Sequence, residues 1–179
     1  MLYSNSLTVL LQFLSLFVFI FLEKKNLEKK FFTTPIIYVL YDSFMHLCYF
    51  MIVAMPLLRF KEEFLFGCAL SILIDLDHII EARSLKISNL LSLGRRPWTH
   101  SLIFALFATA VVFIAAKNSH LSFIVLISLL SHLLRDLSEG KTYIFFPSKR
   151  FYSYGFSYYV LSSAVLALAV NLAYYLFNY

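Results

Sequence analysis

The stretch Ile72-Leu73-Ile74-Asp75-Leu76-Asp77-His78-Ile79-Ile80 decides the fold, because it sets two carboxylates and an imidazole inside an apolar run that begins near Phe64. An ionised Asp at the centre of a bilayer-spanning helix costs roughly 2.5 to 3.5 kcal/mol on insertion scales, so such groups face a protein interior, water or a bound ion. The surrounding chain confirms the setting. Of its 179 residues, 61% are hydrophobic and 14% charged, against about a quarter charged in soluble proteins. The chain therefore reads as all-α, a polytopic transmembrane helical bundle of about six spans. With 4 Gly and 4 Pro there is little room for long linkers, and no low-complexity tract, internal repeat or soluble domain is visible.

Outward from that stretch, the apolar runs cover residues 7–22, 35–58, 64–80, 101–116, 121–137 and 157–177. Residues 1–30 read as an N-terminal span and basic loop, and residues 31–179 as the helical membrane domain. The first run lacks preceding basic residues and a small-residue cleavage site, which reads as an uncleaved span rather than a signal peptide. The formal net charge of +5 does not indicate nucleic acid, because Lys and Arg gather in short loops. Three alternate loops hold Lys24, Lys25, Lys29 and Lys30, then Arg83, Lys86, Arg95 and Arg96, then Lys141, Lys149 and Arg150. The other loops hold Arg59, Lys61 and Lys117. The positive-inside rule then makes the larger loops cytoplasmic and both termini extracytoplasmic, in a plasma or inner membrane. Cys48 and Cys68 lie within apolar runs and read as buried free thiols. The many Phe and Tyr residues read mostly as lipid-facing and interfacial.

This topology gathers the polar groups. Asp75, Asp77 and His78 close the third run, His100 opens the fourth, and His132 and Asp136 close the fifth, all at one membrane face. Asp42 and His46 lie in the second run within about 16 Å of that face, at about 1.5 Å per helical residue from Pro35. The pairs Asp42/His46 and His132/Asp136 are spaced i,i+4, so each shares one helix face. Asp75 and His78 share a face as well, with Cys68, Ser71 and Glu81, whereas Asp77 points away unless the helix ends or bends there. In the fifth run Ser128, Ser131, His132, Arg135 and Asp136 form a stripe that should face the bundle interior.

Imidazole nitrogen and carboxylate oxygen suit zinc and other divalent first-row metals. Two ions about 3.5 to 4 Å apart, bridged by a carboxylate such as Asp75, would clamp a phosphoester. The plainer alternative is that these groups satisfy one another, His46 by hydrogen bonding across helices and Arg135 by pairing with Asp136. No G-x-S-x-G elbow and no H-E-x-x-H occurs, which argues against a serine hydrolase or a zincin. The last span carries Asn171 as its strongly polar interior group and reads as structural.

Taken together, Asp75-Leu76-Asp77-His78, Arg95-Arg96-Pro97-Trp98-Thr99-His100-Ser101 and His132-x-x-x-Asp136 resemble the YdjM-like family of membrane-bound, predicted metal-dependent hydrolases. The resemblance covers roughly residues 42–146 and leaves out the first span. It implies a metal and catalytic set drawn from His46, Asp75, Asp77, His78, Arg96, His100, Ser101, His132 and Asp136. Arg95 stands where the family often has a His, and Ile74 where a Pro often precedes the D-x-D. The resulting expectation is a membrane-embedded hydrolase of a lipid or phosphoester, using one or two divalent ions, zinc by choice of donors. His46, Asp75, His78, His100, His132 and Asp136 would hold the metal. Asp77 would orient a ligand or act as general base, and Arg96 would neutralise developing negative charge. A metal or proton transporter, or a scaffold with a structural metal, remains the alternative, and membrane lipid is the expected surrounding partner.

Overall fold

The computed structural model describes residues 2–29, 34–84, 86, 89, 93, 96–140, 142–146, 148, 150 and 152–176. Among them the chain is helical: α1 Leu2–Lys29, α2 Pro35–Val53, α3 Lys61–Leu73, α4 Asp77–Ala82, α5 Leu102–Ala116, α6 Ser119–Glu139 and α7 Phe156–Leu176. Short 3-10 turns cover Met55–Leu57 and Ile74–Leu76. The basic loop residues Lys30, Arg95, Lys141 and Lys149 lie outside the described residues.

Local chemistry explains the ends. Pro35 occupies the start of α2, where its fixed φ fits and its missing N–H costs nothing. Ser101 and Asn118 cap α5 and α6 by accepting from Phe104 N at 3.1 Å and Leu121 N at 3.0 Å. Arg83 and Lys117 adopt positive φ and stop α4 and α5.

All six expected runs become helical, but unequally. α1, α2, α6 and α7 each hold a stretch long and apolar enough to cross a membrane. α5 has 15 residues and α3 has 13, short of the roughly 20 that a straight span needs. The third run is not one helix, because the 3-10 turn at Ile74–Leu76 divides it.

α6 is the central element. Its membrane-length stretch is 67% buried, against 28% for each of the other three. Accordingly its polar stripe of Ser128, Ser131, His132, Arg135 and Asp136 is buried. One apolar core joins Leu16, Phe19 and Ile20 of α1 to Tyr49, Phe50 and Val53 of α2, Ile124 and Ile127 of α6, and Ala167 and Val170 of α7. Gly67 allows α3 to approach closely, since a Cβ there would collide with the Phe50 ring and an Ile124 methyl. Its carbonyl also accepts from Ser128 Oγ at 2.9 Å. Asn171 of α7 donates to Gln12 of α1, whose amide in turn donates to the Val53 carbonyl at 2.7 Å. Large apolar side chains such as Leu10, Phe17, Phe107 and Ile114 face outward, as lipid contact requires.

A candidate metal centre at one end of the bundle

The polar residues meet where α3 and α6 end and α2 and α5 begin. The 3-10 turn brings Asp77 into this group. At 3.6 residues per turn Asp75 and Asp77 stand about 160° apart, whereas at 3.0 per turn the separation falls to about 120° and residues i and i+3 eclipse. His78 consequently sits over Asp75, its Nδ1 3.2 Å from the Asp75 carbonyl. Asp77 lies 3.2 Å from His100 Nδ1 and 3.0 Å from His78 Nδ1. The turn forms without the Pro that Ile74 replaces. Glu81, expected on the same stripe, is exposed near the end of α4.

Two carboxylates, Asp75 and Asp136, each face both His100 and His132. Asp75 Oδ1 lies 3.3 Å from both His100 Nε2 and His132 Nε2. Asp136 Oδ2 lies 3.5 Å from the same two nitrogens. Tetrahedral coordination with bonds of about 2.0 to 2.1 Å has donor–donor edges of about 3.3 to 3.4 Å; these carboxylate–imidazole distances are close to that, and the donor atoms of Asp75, His100 and His132, like those of His46, His132 and Asp136, lie within 4.8 Å of one another. The tautomer of His132 points the same way. Its Nδ1 lies 3.0 Å from the Ser71 carbonyl, which can only accept, so Nδ1 carries the proton. In neutral His132 the Nε2 lone pair then faces two carboxylate oxygens.

Part of this cluster is also left unsatisfied. His46 Nδ1 and Nε2, His132 Nε2 and both oxygens of Asp77 and Asp136 are buried without an aligned hydrogen bond, and no other buried side-chain nitrogen or oxygen among the described residues shares that condition. Such atoms ordinarily find a partner. Here they face one another: His46 stacks on His132 with ring centroids 3.6 Å apart, and its Nε2 lies 3.5 Å from Asp136 Oδ1.

His100 lies in the loop before α5. Burial would lower its pKa, but the Asp136, Asp75 and Asp77 carboxylates outweigh that and push it up to about 10. Its backbone is strapped down by the chain after α6: Thr142 Oγ1 donates to the His100 carbonyl at 2.8 Å, and Leu102 N donates to the Ile144 carbonyl at 3.0 Å. Ser101, implicated by resemblance, is buried in its capping role.

His46, His100, His132 and Asp136 form the closed inner side of the cluster, while Asp75, Asp77, His78 and Arg96 form a partly exposed rim. Arg96 Nη2 lies 3.0 Å from Asp136 Oδ1, and its Nη1 is 3.4 Å from His78 Nε2. Because a guanidinium only donates, His78 directs its lone pair at Arg96 and its Nδ1 at Asp77. Donor atoms of His78, Asp77 and His100 lie within 4.8 Å of one another, beside Asp75 and His132. Arg95 lies outside the described residues.

Two readings of the charged residues change. Glu23, which directly follows the first apolar run and precedes Lys24 and Lys25 as a flanking charge would, is buried at 1% exposure. It accepts from Arg135 Nε at 2.7 Å and from the Tyr159 hydroxyl at 2.7 Å. Arg135 also holds Asp42 through Oδ1, so it is taken up by Glu23 and Asp42 while Asp136 turns to Arg96 and the imidazoles. Tyr49 and Tyr159 are buried, not interfacial, and Tyr49 pairs its hydroxyl with Ser163 Oγ at 2.6 Å. The missed signal for Glu23 was its reach: α1 continues to Lys29, beyond the end of the apolar run.

The fold and this cluster define a multi-pass integral membrane protein with a His/Asp centre buried at one end of a helical bundle. The chain belongs to the YdjM inner membrane protein family, whose model matches residues 43–179. No curated protein and no solved structure matches it.

Proposed function

We propose that the protein is a membrane-embedded, divalent-metal-dependent hydrolase acting on a phosphoester or lipid at the cytoplasmic face. The observation that carries this reading is the confinement of the unsatisfied buried polar atoms to one cluster of imidazoles and carboxylates whose donor atoms lie within coordination range of one another. Asp75, His100, His132 and Asp136 would hold the ion, zinc by choice of donors. A divalent ion bound there supplies Lewis acidity, which polarises a phosphoryl oxygen and acidifies water.

The chain's own groups do the rest. The Ser71 carbonyl fixes the His132 tautomer, and Asp77 faces His100 Nδ1, the outer-sphere arrangement that orients a ligating imidazole. Asp77 also stands on the rim, its oxygens turned inward to His78 and His100, and is the carboxylate that takes a proton from water held at the site. Arg96, held by Asp136 and His78, presents positive charge where a phosphoryl group would gain negative charge. Bulk water is excluded on the inner side and admitted at the rim, which suits a reaction that consumes one water.

Ion transport is the less favoured reading because no ionisable side chain of α6 lies between His120 and His132. Between His132 and the polar end of α6 at Asn118, about 20 Å away at 1.5 Å per residue, α6 packs through Ile124 and Ile127 against Phe50, Val53 and Phe64. The test is elemental analysis of detergent-purified wild type and His132→Ala, followed by hydrolysis screens on phosphodiesters and phospholipid micelles. The expected result is stoichiometric metal that the variant loses, with chelator-sensitive hydrolysis. Metal-free wild type, or metal uptake into proteoliposomes without hydrolysis, overturns the proposal.

A further inference from the structure

His46 remains unexplained once the four-donor group is assigned. It is completely buried, neither of its nitrogens has an aligned hydrogen bond, and its Nε2 faces the Asp136 oxygen that the four-donor group does not use. One helical turn earlier on the same face stands Asp42, and donor atoms of Asp42, His46 and Asp75 all lie within 4.8 Å of one another. Asp42 is not left to choose its own position. Arg135 grips its Oδ1 and is itself gripped by Glu23 of α1, which Tyr159 of α7 holds from the other side. Both Glu23 and Asp42 precede residue 43, where the family match begins.

We infer that Asp42, His46 and Asp75 form a second divalent-cation subsite, with Asp75 and Asp136 shared between it and the four-donor group, and with Glu23 and Arg135 as positioning residues for Asp42. The inference rests on the metal-centre reading above and extends it to Asp42, Glu23 and Arg135, which the motifs of the resemblance do not include. Arg135 takes Asp42 through Oδ1, and a carboxylate has a second oxygen with which to meet an ion. His46 obtains the partner that its burial demands. The charge balance agrees. Glu23, Asp42, Asp75, Asp77 and Asp136 face two guanidiniums, Arg96 and Arg135. With these carboxylates ionised and the histidines neutral, the excess is three negative charges. One divalent ion leaves the cluster anionic and hostile to a phosphate ester, whereas two leave it cationic by one charge. Local ions of this size dominate the field of such a site.

The experiment measures zinc per chain in detergent-purified, zinc-equilibrated protein, for wild type and Asp42→Asn. The Asn amide oxygen still accepts from Arg135, and the Glu23–Arg135 pair is untouched, so the fold is retained; gel filtration checks this. About two ions in wild type and about one in the variant are expected. One ion in both proteins, two in both, or none in the variant overturns the second subsite while leaving the metal centre intact. No metal in wild type overturns the metal centre itself. An independent readout needs no variant: cobalt-loaded wild type should show a spin-coupled pair by electron paramagnetic resonance, as ions about 3.5 to 4 Å apart do. Isolated cobalt signals at saturation overturn the inference.

Discussion

Replacing Glu23 by Ala separates two views of the first helix by a measurable margin. If Glu23 were a solvated flank like its neighbour Lys24, its loss would cost no more than about 1 kcal/mol. In the structure it is buried, its Oε1 accepts from Arg135 Nε at 2.7 Å and its Oε2 from Tyr159 at 2.7 Å. Removing one partner of a buried ion pair costs about 3 to 5 kcal/mol, because the remaining charge stays buried. Asp42 keeps its hold on the guanidinium, which places the expected loss at the lower end, about 3 kcal/mol. For a protein of this length each kcal/mol moves Tm by about 2 to 4 °C, so Glu23→Ala should melt about 6 to 12 °C below wild type. Cys48 and Cys68 are free but half-buried rather than buried as their apolar runs suggest, so a thiol-reactive dye that reports their further exposure during heating in detergent micelles reads the transition. Tyr159→Phe removes a single hydrogen bond and should cost about 0.6 kcal/mol, the average in membrane interiors. Lys24→Ala should be near neutral. A Glu23→Ala shift of less than about 2 °C, equal to that of Lys24→Ala, would refute the buried anchor.

Three further outcomes follow from the same geometry. Asp77→Asn leaves His100 Nδ1 facing an amide instead of a carboxylate, so zinc affinity measured by competition with a chromophoric chelator should fall about 10- to 100-fold with the fold unchanged. His100 has its pKa raised to about 10 and is protonated at neutral pH; zinc must displace that proton, so the association constant should rise about tenfold per pH unit until pH nears 10, and flat affinity from pH 6 to 9 would contradict this. Gly67→Val forces a branched side chain against Phe50 and Ile124, with an expected loss at the upper end of overpacking costs, about 3 kcal/mol, visible as a lowered Tm in the same dye assay.

What the sequence disclosed, and what it hid, divides along physical lines. Helical periodicity and apolar run length located all six helical segments, because both are local properties of the chain. The convergence of Asp75, His100, His132 and Asp136 was also accessible, since a topology with alternating basic loops puts their ends at one face. The rest needed tertiary information. Whether residues 74–76 continue an α-helix or tighten to a 3-10 turn is a matter of a few degrees of backbone torsion per residue, settled by packing rather than by Ile74 or its neighbours. That small difference decides whether Asp77 meets His100.

Arg135 marks the deeper boundary. A guanidinium buried near the end of an apolar helix announces that a carboxylate must be near, and the adjacent Asp136 was the obvious partner by sequence. Yet consecutive helical residues diverge by about 100°, so two such groups on one helix serve different neighbours. Asp136 serves the imidazoles and Arg96, and Arg135 must find its counter-charge elsewhere. It finds it in α2 and, 112 residues away, in α1. The run Glu23-Lys24-Lys25 looks like one solvated cap, but only Glu23 points inward. A charge pattern therefore identifies which buried group needs compensation, while the three-dimensional path of the chain selects the residue that provides it. The family match begins at residue 43 and takes in most of the His/Asp cluster, whereas the helix that lies before it supplies the Glu23 that holds Arg135.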